Sequence, residues 1–151
     1  MKRVTITISL FFTCFSLLSQ RGYWQQHVDY KMEINFFAEE NKFSGHQELV
    51  YTNNSPDTLS KVFYHLYYNA FQPGSMMDVR SRTIEDPDSR VGDRIAGLNK
   101  DEIGYHNIKS ISQKNADLKF NIEGTILEVF LDKPLKPNDK TTLIMDFNSQ
   151  V

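Results

Sequence analysis

Polar and apolar residues alternate with a period of two along most of this chain, and the pattern is clearest from Phe43 to Phe71. Within that stretch, Phe43 to Thr52 sets Leu49 and Tyr51 on one face and Val50 and Thr52 on the other. Leu59 to Tyr68 sets Val62, Tyr64, Leu66 and Tyr68 on one face, with Phe63, His65 and Tyr67 opposite. A period of two predicts strand rather than helix. Asn53-Asn54-Ser55-Pro56-Asp57, between the two runs, has turn chemistry: Asn and Asp tolerate left-handed angles, and Pro cannot continue a ladder. Together these residues predict a hairpin.

The same alternation precedes and follows it. Val28, Tyr30, Met32, Ile34 and Phe36 alternate with Asp29, Lys31, Glu33 and Asn35, which predicts a half-buried strand from Val28 to Phe37. Glu39 to Lys42 reads as a turn. After the hairpin the pattern breaks from Gln72 to Tyr105, a stretch punctuated by Pro73-Gly74, Asp86-Pro87-Asp88, Gly92, Gly97 and Gly104. A loop of this length is unusual in a compact domain and is commonly functional or partly disordered. Its arginines (Arg80, Arg82, Arg90, Arg94) interleave with Asp78, Glu85, Asp86, Asp88 and Asp93, which suits an ordered loop with mutually satisfied charges, and a short helix fits near Asp93 to Leu98. Strand patterns resume over Tyr105–Ser112, Leu118–Ile122, Ile126–Leu131 and Thr141–Phe147, with Leu127, Val129, Leu131, Leu143, Met145 and Phe147 as candidate core. Turns are expected at Asn115-Ala116-Asp117, Glu123-Gly124-Thr125 and Pro134 to Asp139. Strands at this spacing predict an all-β fold, an antiparallel sandwich. The chain stops at Val151 directly after a strong strand, so the domain is expected to be incomplete at its C-terminal end, with that last strand left as an unpaired edge.

The first 20 residues read differently. Lys2 and Arg3 precede an apolar run, Val4 to Leu18, that is short for a membrane span and fits a secretory signal peptide over residues 1–20. The expected location is therefore exported, periplasmic or extracellular, with no membrane association after cleavage. The one cysteine, Cys14, lies in this segment, so the processed chain has no disulfide and no thiol chemistry. The domain expected over residues 21–151 must then rest on its hydrophobic core alone. With 17 Lys+Arg against 19 Asp+Glu, the chain has no basic excess to neutralise phosphates, which argues against a nucleic-acid partner.

Little in the sequence carries chemistry. The four histidines, His27, His46, His65 and His106, show no H-E-x-x-H spacing. His46 and Glu48 share a strand face as two ligands would, but an exposed cross-strand pair is the favoured reading. His65, among Tyr64, Tyr67 and Tyr68, reads as a packed, hydrogen-bonded histidine rather than a base. There is no G-x-S-x-G elbow and no phosphate-binding glycine loop. Asp86, Asp88 and Asp93 miss the calcium-loop spacing because Ser89-Arg90 intrudes, and they read as solvated loop charges. Asn53-Asn54-Ser55 matches a glycosylation sequon. Tyr23, Trp24, Tyr64, Tyr67 and Tyr68 offer rings for stacking on a sugar, but aromatic strands more often build core.

A set of short motifs follows in order: Tyr30-Lys31-Met32-Glu33-Ile34, Phe43-Ser44-Gly45-His46-Gln47-Glu48, Tyr51-Thr52-Asn53-Asn54-Ser55, and Leu59 to Leu66. Further on come Leu127-Glu128-Val129-Phe130-Leu131, Pro134-Leu135-Lys136-Pro137 and Thr142 to Phe147. This series resembles the start of the aminopeptidase N family of zinc metallopeptidases: its opening strand, its F-x-G strand, the turn near N-x-S, and its "L-x-PL-x-PG-x…L-x-I-x-F" hairpin, with Asn138 where glycine is usual. The likeness covers about Tyr23 to Val151, apart from the Gln72–Tyr105 loop. It implies a saddle-like N-terminal β domain that rests on a downstream catalytic domain of the same parent chain and helps wall a cavity for peptide substrates. It implies zinc for the full-length parent, with the family's G-x-M-E-N, H-E-x-x-H and distant Glu lying downstream. None of these falls on this sequence, so no catalytic, metal or substrate-binding residue is assigned here, no cofactor is expected in this chain, and the chain alone is expected to be inactive. Two other readings stay open: a stand-alone exported β-sandwich binding module without enzymatic activity, and a relative of the family reduced to a non-enzymatic partner.

Overall fold

The computed structural model describes residues 23–151. The segment 1–20, expected to be a signal peptide, and Cys14 within it lie outside the described residues. Among the described residues eight strands form: β1 (His27–Phe37), β2 (Lys42–Thr52), β3 (Leu59–His65), β4 (Tyr105–Gln113), β5 (Ala116–Asp117), β6 (Phe120–Glu123), β7 (Ile126–Leu135) and β8 (Lys140–Gln150). They build two antiparallel sheets, one of five strands in the order β1-β2-β8-β4-β5 and one of three in the order β3-β7-β6. The all-β antiparallel architecture read from the alternation is the one observed.

The core lies between the sheets. Leu49, Ile108, Ile111, Leu143, Met145 and Phe147 come from the larger sheet, and Val62, Leu127, Val129, Leu131 and Leu135 from the smaller, with Leu66 just after β3. Leu127, Val129 and Leu143 are completely buried. Burying one such side chain contributes roughly 1.5–3 kcal/mol. The strand faces follow the period of two: on β8, Thr141, Leu143, Met145, Phe147 and Ser149 are buried, while Thr142, Ile144, Asp146 and Asn148 are only partly so.

Three expectations are corrected. First, β2 and β3 are not a hairpin. β2 pairs with β1 and β8, whereas β3 pairs with β7 in the other sheet. The Asn53–Asp57 turn therefore crosses between sheets, and so does the proline-containing turn between β7 and β8. Second, β8 is not an unpaired edge. It is a central strand, hydrogen-bonded to β2 on one side and β4 on the other. Among the described residues the long free edge belongs to β1 instead, which pairs with β2 in unbroken register from His27↔Thr52 to Phe37↔Lys42. Third, β3 ends at His65, and Tyr67–Ala70 turns into a single helical turn, so Tyr68 is not a strand residue.

The Gln72–Tyr105 stretch is ordered, as its interleaved charges suggested, and it carries a helix that its sequence did not announce. It contains helix α1 (Met76–Thr83) and a short helical turn at Ile95–Gly97. Ser75 caps α1, accepting a hydrogen bond from the Asp78 backbone N–H at 3.1 Å. Asp78 is buried and bonds back to the Gly74 N–H at 2.7 Å, and Arg82 grips it with two bonds of 2.8 and 3.0 Å. This arrangement is close to a capping box. The loop is fastened to β8 by Gln150, whose Nε2 donates to the Lys100 and Ile103 carbonyls at 3.0 and 2.9 Å. The expected short helix near Asp93 to Leu98 is realised as the turn at Ile95–Gly97.

Candidate functional site

The two inter-sheet turns meet at Asn53, which is completely buried. Its Oδ1 accepts from Gln26 Nε2, Ser55 N and Ser55 Oγ at 3.1, 3.0 and 2.7 Å. Its Nδ2 donates to the carbonyls of Asp57 and Leu135 at 2.7 and 3.0 Å. Its backbone N–H reaches the Asp139 carbonyl, and its own carbonyl accepts from Asn138 N–H at 2.7 Å. Asn138 sits at φ 64, the left-handed conformation that asparagine tolerates in place of glycine. The apparent sequon is thus a structural brace, with both amide hydrogens of Asn53 occupied.

The larger sheet extends beyond the cover of the smaller one. On β1, Tyr30, Met32, Ile34 and Phe36 lie opposite Leu49, Gln47, Gly45 and Phe43 of β2, on the core side of the sheet. Yet they remain 55, 47, 47 and 65 % exposed, because the three-stranded sheet does not reach over them. β1 was expected to be half-buried; its apolar face is mostly open. Between β1 and β3 this leaves an apolar groove made of two adjoining hollows of about 350 and 380 Å³, both lined by Met32, Gln47, Tyr64, His65 and Tyr67. Two polar atoms at this groove, Gln47 Nε2 and the Tyr64 hydroxyl, are buried without a hydrogen-bond partner among the described residues. Burial raises the Tyr64 pKa well above its ordinary value, with lesser contributions from Tyr30 and Tyr51, so the hydroxyl stays protonated. The groove therefore presents apolar walls and two neutral polar groups. Such walls suit binding, and among the described residues that line the groove no nucleophile is paired with a base.

The other residues singled out by sequence are dispersed. His46 does not pair with Glu48; its Nδ1 lies 2.7 Å from Asp146 Oδ1 on the neighbouring strand, and Ser110 Oγ donates to Asp146 Oδ2 at 3.0 Å. These bonds, His46 first, hold the Asp146 carboxyl below the usual carboxylate range. The carboxylate stands between Ser110 and His46, so the histidine is not placed to activate the serine. His65 is exposed and tilted against Tyr67, 4.0 Å between ring centroids, rather than packed and hydrogen-bonded, because it lies on the outward face of β3. The half-buried histidine is His106, whose Nδ1 contacts Ser149 Oγ and whose ring lies 4.8 Å from that of Tyr68. Burial pushes its pKa below the ordinary value. Asp88 pairs with Arg90 at 2.7 Å. Among the described residues there is no group of three or more His, Cys, Asp or Glu side chains able to hold a metal. Tyr23 is almost fully exposed, and Tyr68 packs edge-on to Phe43, so the five aromatic residues considered for sugar stacking do not form one platform.

The residues of interest that sequence reasoning missed are Gln47, Asp78 and Asp146. Only Asp78 carried a local signal, the S-x-x-D spacing from Ser75. Asn53 was legible as a turn residue through its neighbours Ser55 and Asp57, but its bond to Leu135 was not.

No protein-family model matches the chain, and no curated protein matches it. Among solved structures, the chain is similar to a two-domain M1 zinc metallopeptidase variant bound to L-tryptophan, with 13 % identity and a TM-score of 0.51, over 85 % of this chain and 21 % of that one. The same values hold for that enzyme bound to L-arginine. An M1 zinc metallopeptidase from Deinococcus radiodurans aligns over 82 % of this chain and 20 % of that one, at 12 % identity and a TM-score of 0.49. At these identities the shared property is the fold. The chain spans about a fifth of the length of the structures it matches.

Proposed function

We propose that this chain is the N-terminal β domain of an exported zinc aminopeptidase of the M1, aminopeptidase N type, and that it helps wall the cavity in which peptides lose their N-terminal residues. The observation that carries this reading is the shared fold with a two-domain M1 zinc metallopeptidase over 85 % of the chain. The motif series supports it. The F-x-G segment and the closing Leu143-x-Met145-x-Phe147 segment, which has methionine where the family motif has isoleucine, are far apart in sequence, yet they lie on the paired strands β2 and β8, where Gly45 is opposite Phe147. A Cβ on Gly45 would overlap the Phe147 ring and sit 2.8 Å from Ile34, so glycine is required there by packing.

The described residues do not fit zinc, since they contain no cluster of three ligand side chains. On this reading the metal and the catalytic residues belong to the parent's downstream domain, and no chemical step runs through this chain. Its Gln72–Tyr105 segment is the candidate contact with that domain. Met76, Val79 and Ile84 of and beside α1 are 84, 44 and 40 % exposed, and Phe63 across the adjoining cleft is 60 % exposed. Apolar side chains grouped in this way mark interaction surfaces.

The test has two arms. The 151-residue chain alone should bind no stoichiometric zinc and cleave no aminoacyl-arylamide, and hydrogen exchange across residues 72–105 should be slower in the full-length parent than in the chain. Turnover above background by the chain, or equal exchange rates in both forms, would count against the proposal. A stand-alone exported binding module is the second reading, favoured by the apolar groove with its unpartnered Gln47 and Tyr64 groups. Absence of H-E-x-x-H from the reading frame past Val151 would support it over the first.

A further inference from the structure

Among the described residues the sheets have four edge strands of unequal length, and β4, which pairs with β5 only at Ser112 and Gln113, adds a flank over Tyr105–Ser110 that is unpaired in the sheet but broken by a register shift between Ile108 and Ser110. β5 is 2 residues long, β6 is 4 and β3 is 7, and β3 carries a register shift between Leu59 and Lys61. β1 offers 11 residues with no proline, and its ladder to β2 has no bulge. Natural sheets usually protect such an edge with those devices. Here the edge strand is also open on its core-side face, where Tyr30, Met32, Ile34 and Phe36 are exposed.

The charges on the opposite face are ordered so that this strand complements itself. If two β1 strands pair antiparallel over their whole length, Met32 faces its own copy on the two-fold axis. Lys31 then lies opposite Glu33 and Glu33 opposite Lys31, Asp29 faces Asn35, and the apolar face matches Tyr30 with Ile34 and Val28 with Phe36. Slipping two residues in one direction sets Lys31 against Lys31 and Asp29 against Glu33. Slipping two in the other sets Glu33 against Glu33. A one-residue slip opposes the apolar face of one strand to the charged face of the other. A four-residue slip that pairs Asp29 with Lys31 joins only His27 to Glu33. The full-length register is therefore favoured by opposite charges and by maximal overlap, while its neighbours are penalised by like charges.

We infer that two copies of this chain associate through β1, pairing edge to edge about a two-fold axis at Met32 and joining their five-stranded sheets into one continuous sheet of ten. The interface is isologous: each strand supplies the same residues to the other. This proposal is independent of the parent's enzymatic activity.

The purified chain should sediment as a dimer. K31E and E33K each replace two opposite-charge contacts with two like-charge contacts and should each raise the dimer dissociation constant by about tenfold or more. The double variant K31E/E33K restores both contacts in exchanged order and should return the constant to within about threefold of the starting protein. Far-ultraviolet circular dichroism of the single variants separates this effect from loss of folding. In a Cys14→Ser background, Met32→Cys should form an intermolecular disulfide under mild oxidation, because only this register brings residue 32 against its own copy. Tyr30→Cys, which faces Ile34, should not. A monomer at the highest soluble concentration, a dimer indifferent to the charge exchange, or equal cross-linking at both positions would overturn the proposal.

Discussion

Asn53 shows how much one side chain can organise. It uses both amide hydrogens and its carbonyl oxygen at once, and it ties two turns that are far apart in sequence. Asn53→Ala leaves the Leu135 and Asp57 carbonyls and the Ser55 N–H without this partner in a buried setting. The expected loss is about 3 kcal/mol of unfolding free energy, measured by chemical denaturation. For the same reason Asn53 should carry no glycan when the protein is expressed in a glycosylating host. His106 provides a second residue-scale test. Its contacts are Tyr68, Phe147 and Ser149, none of them charged near neutral pH, and burial lowers its pKa. Because the folded value lies below the unfolded one, the unfolded chain binds the extra proton first. Stability is fully present above the unfolded histidine value of about 6.5 and falls as pH drops from there through the lower folded value. Denaturation at pH 7.5 and 5.5 should show this loss, and His106→Gln should reduce it. Asp78 and Asp146, whose carboxyls are held low, act only in the acid range below that window.

At the scale of elements, helix α1 has little intrinsic support: it is short, and its one buried residue is Asp78. Isolated helices of this length are unstable in water, so the cap and the Asp78–Arg82 grip hold the turn in place. Ser75→Ala removes the oxygen that receives the Asp78 N–H. It should cost about 1 kcal/mol, read as faster hydrogen exchange across Met76–Thr83, with the β-sheet amides unchanged. The strands behave differently. β4 and β5 join through Lys114 and Asn115, both at positive φ, and β6 and β7 through Gly124-Thr125 with Gly124 at φ 55. These two-residue turns match the twist of adjacent strands, so each closes a true hairpin. The longer turns at Asn53–Asp57 and between β7 and β8 lack that constraint and pass from one sheet to the other.

At the scale of the molecule, unequal sheets create the surfaces that matter. A five-stranded sheet facing a three-stranded one must leave part of its inner face open, and the uncovered part is β1. That single mismatch produces the groove with Gln47 and Tyr64 and the long edge proposed to pair with a second copy. α1 and the outer face of the smaller sheet carry the exposed Met76 and Phe63, the surface proposed to meet the parent's catalytic domain. Phe63 also lines the groove beside β1, so the two surfaces adjoin there, while Lys31 and Glu33, whose exchange tests the dimer, lie outside both.

The sequence by itself determined where most strands lie and which side of each turns inward, because side-chain direction follows a period of two whatever the partner, although Tyr68 left its expected strand and Ala116-Asp117 joined one. Leu127, Val129, Leu143, Met145 and Phe147 were legible as core on that ground. It also showed the absence of H-E-x-x-H, which is a matter of spacing alone. Only the tertiary structure decided which strand pairs with which. The alternation in β2 and β3 is the same for a hairpin and for a crossing between sheets, and the choice rests on partners such as Leu135, 82 residues from Asn53. The edge moved from β8 to β1 for the same reason: whether a strand is central depends on neighbours brought from elsewhere in the chain. The groove was illegible because it arises from a difference in sheet width, a property that no single strand carries.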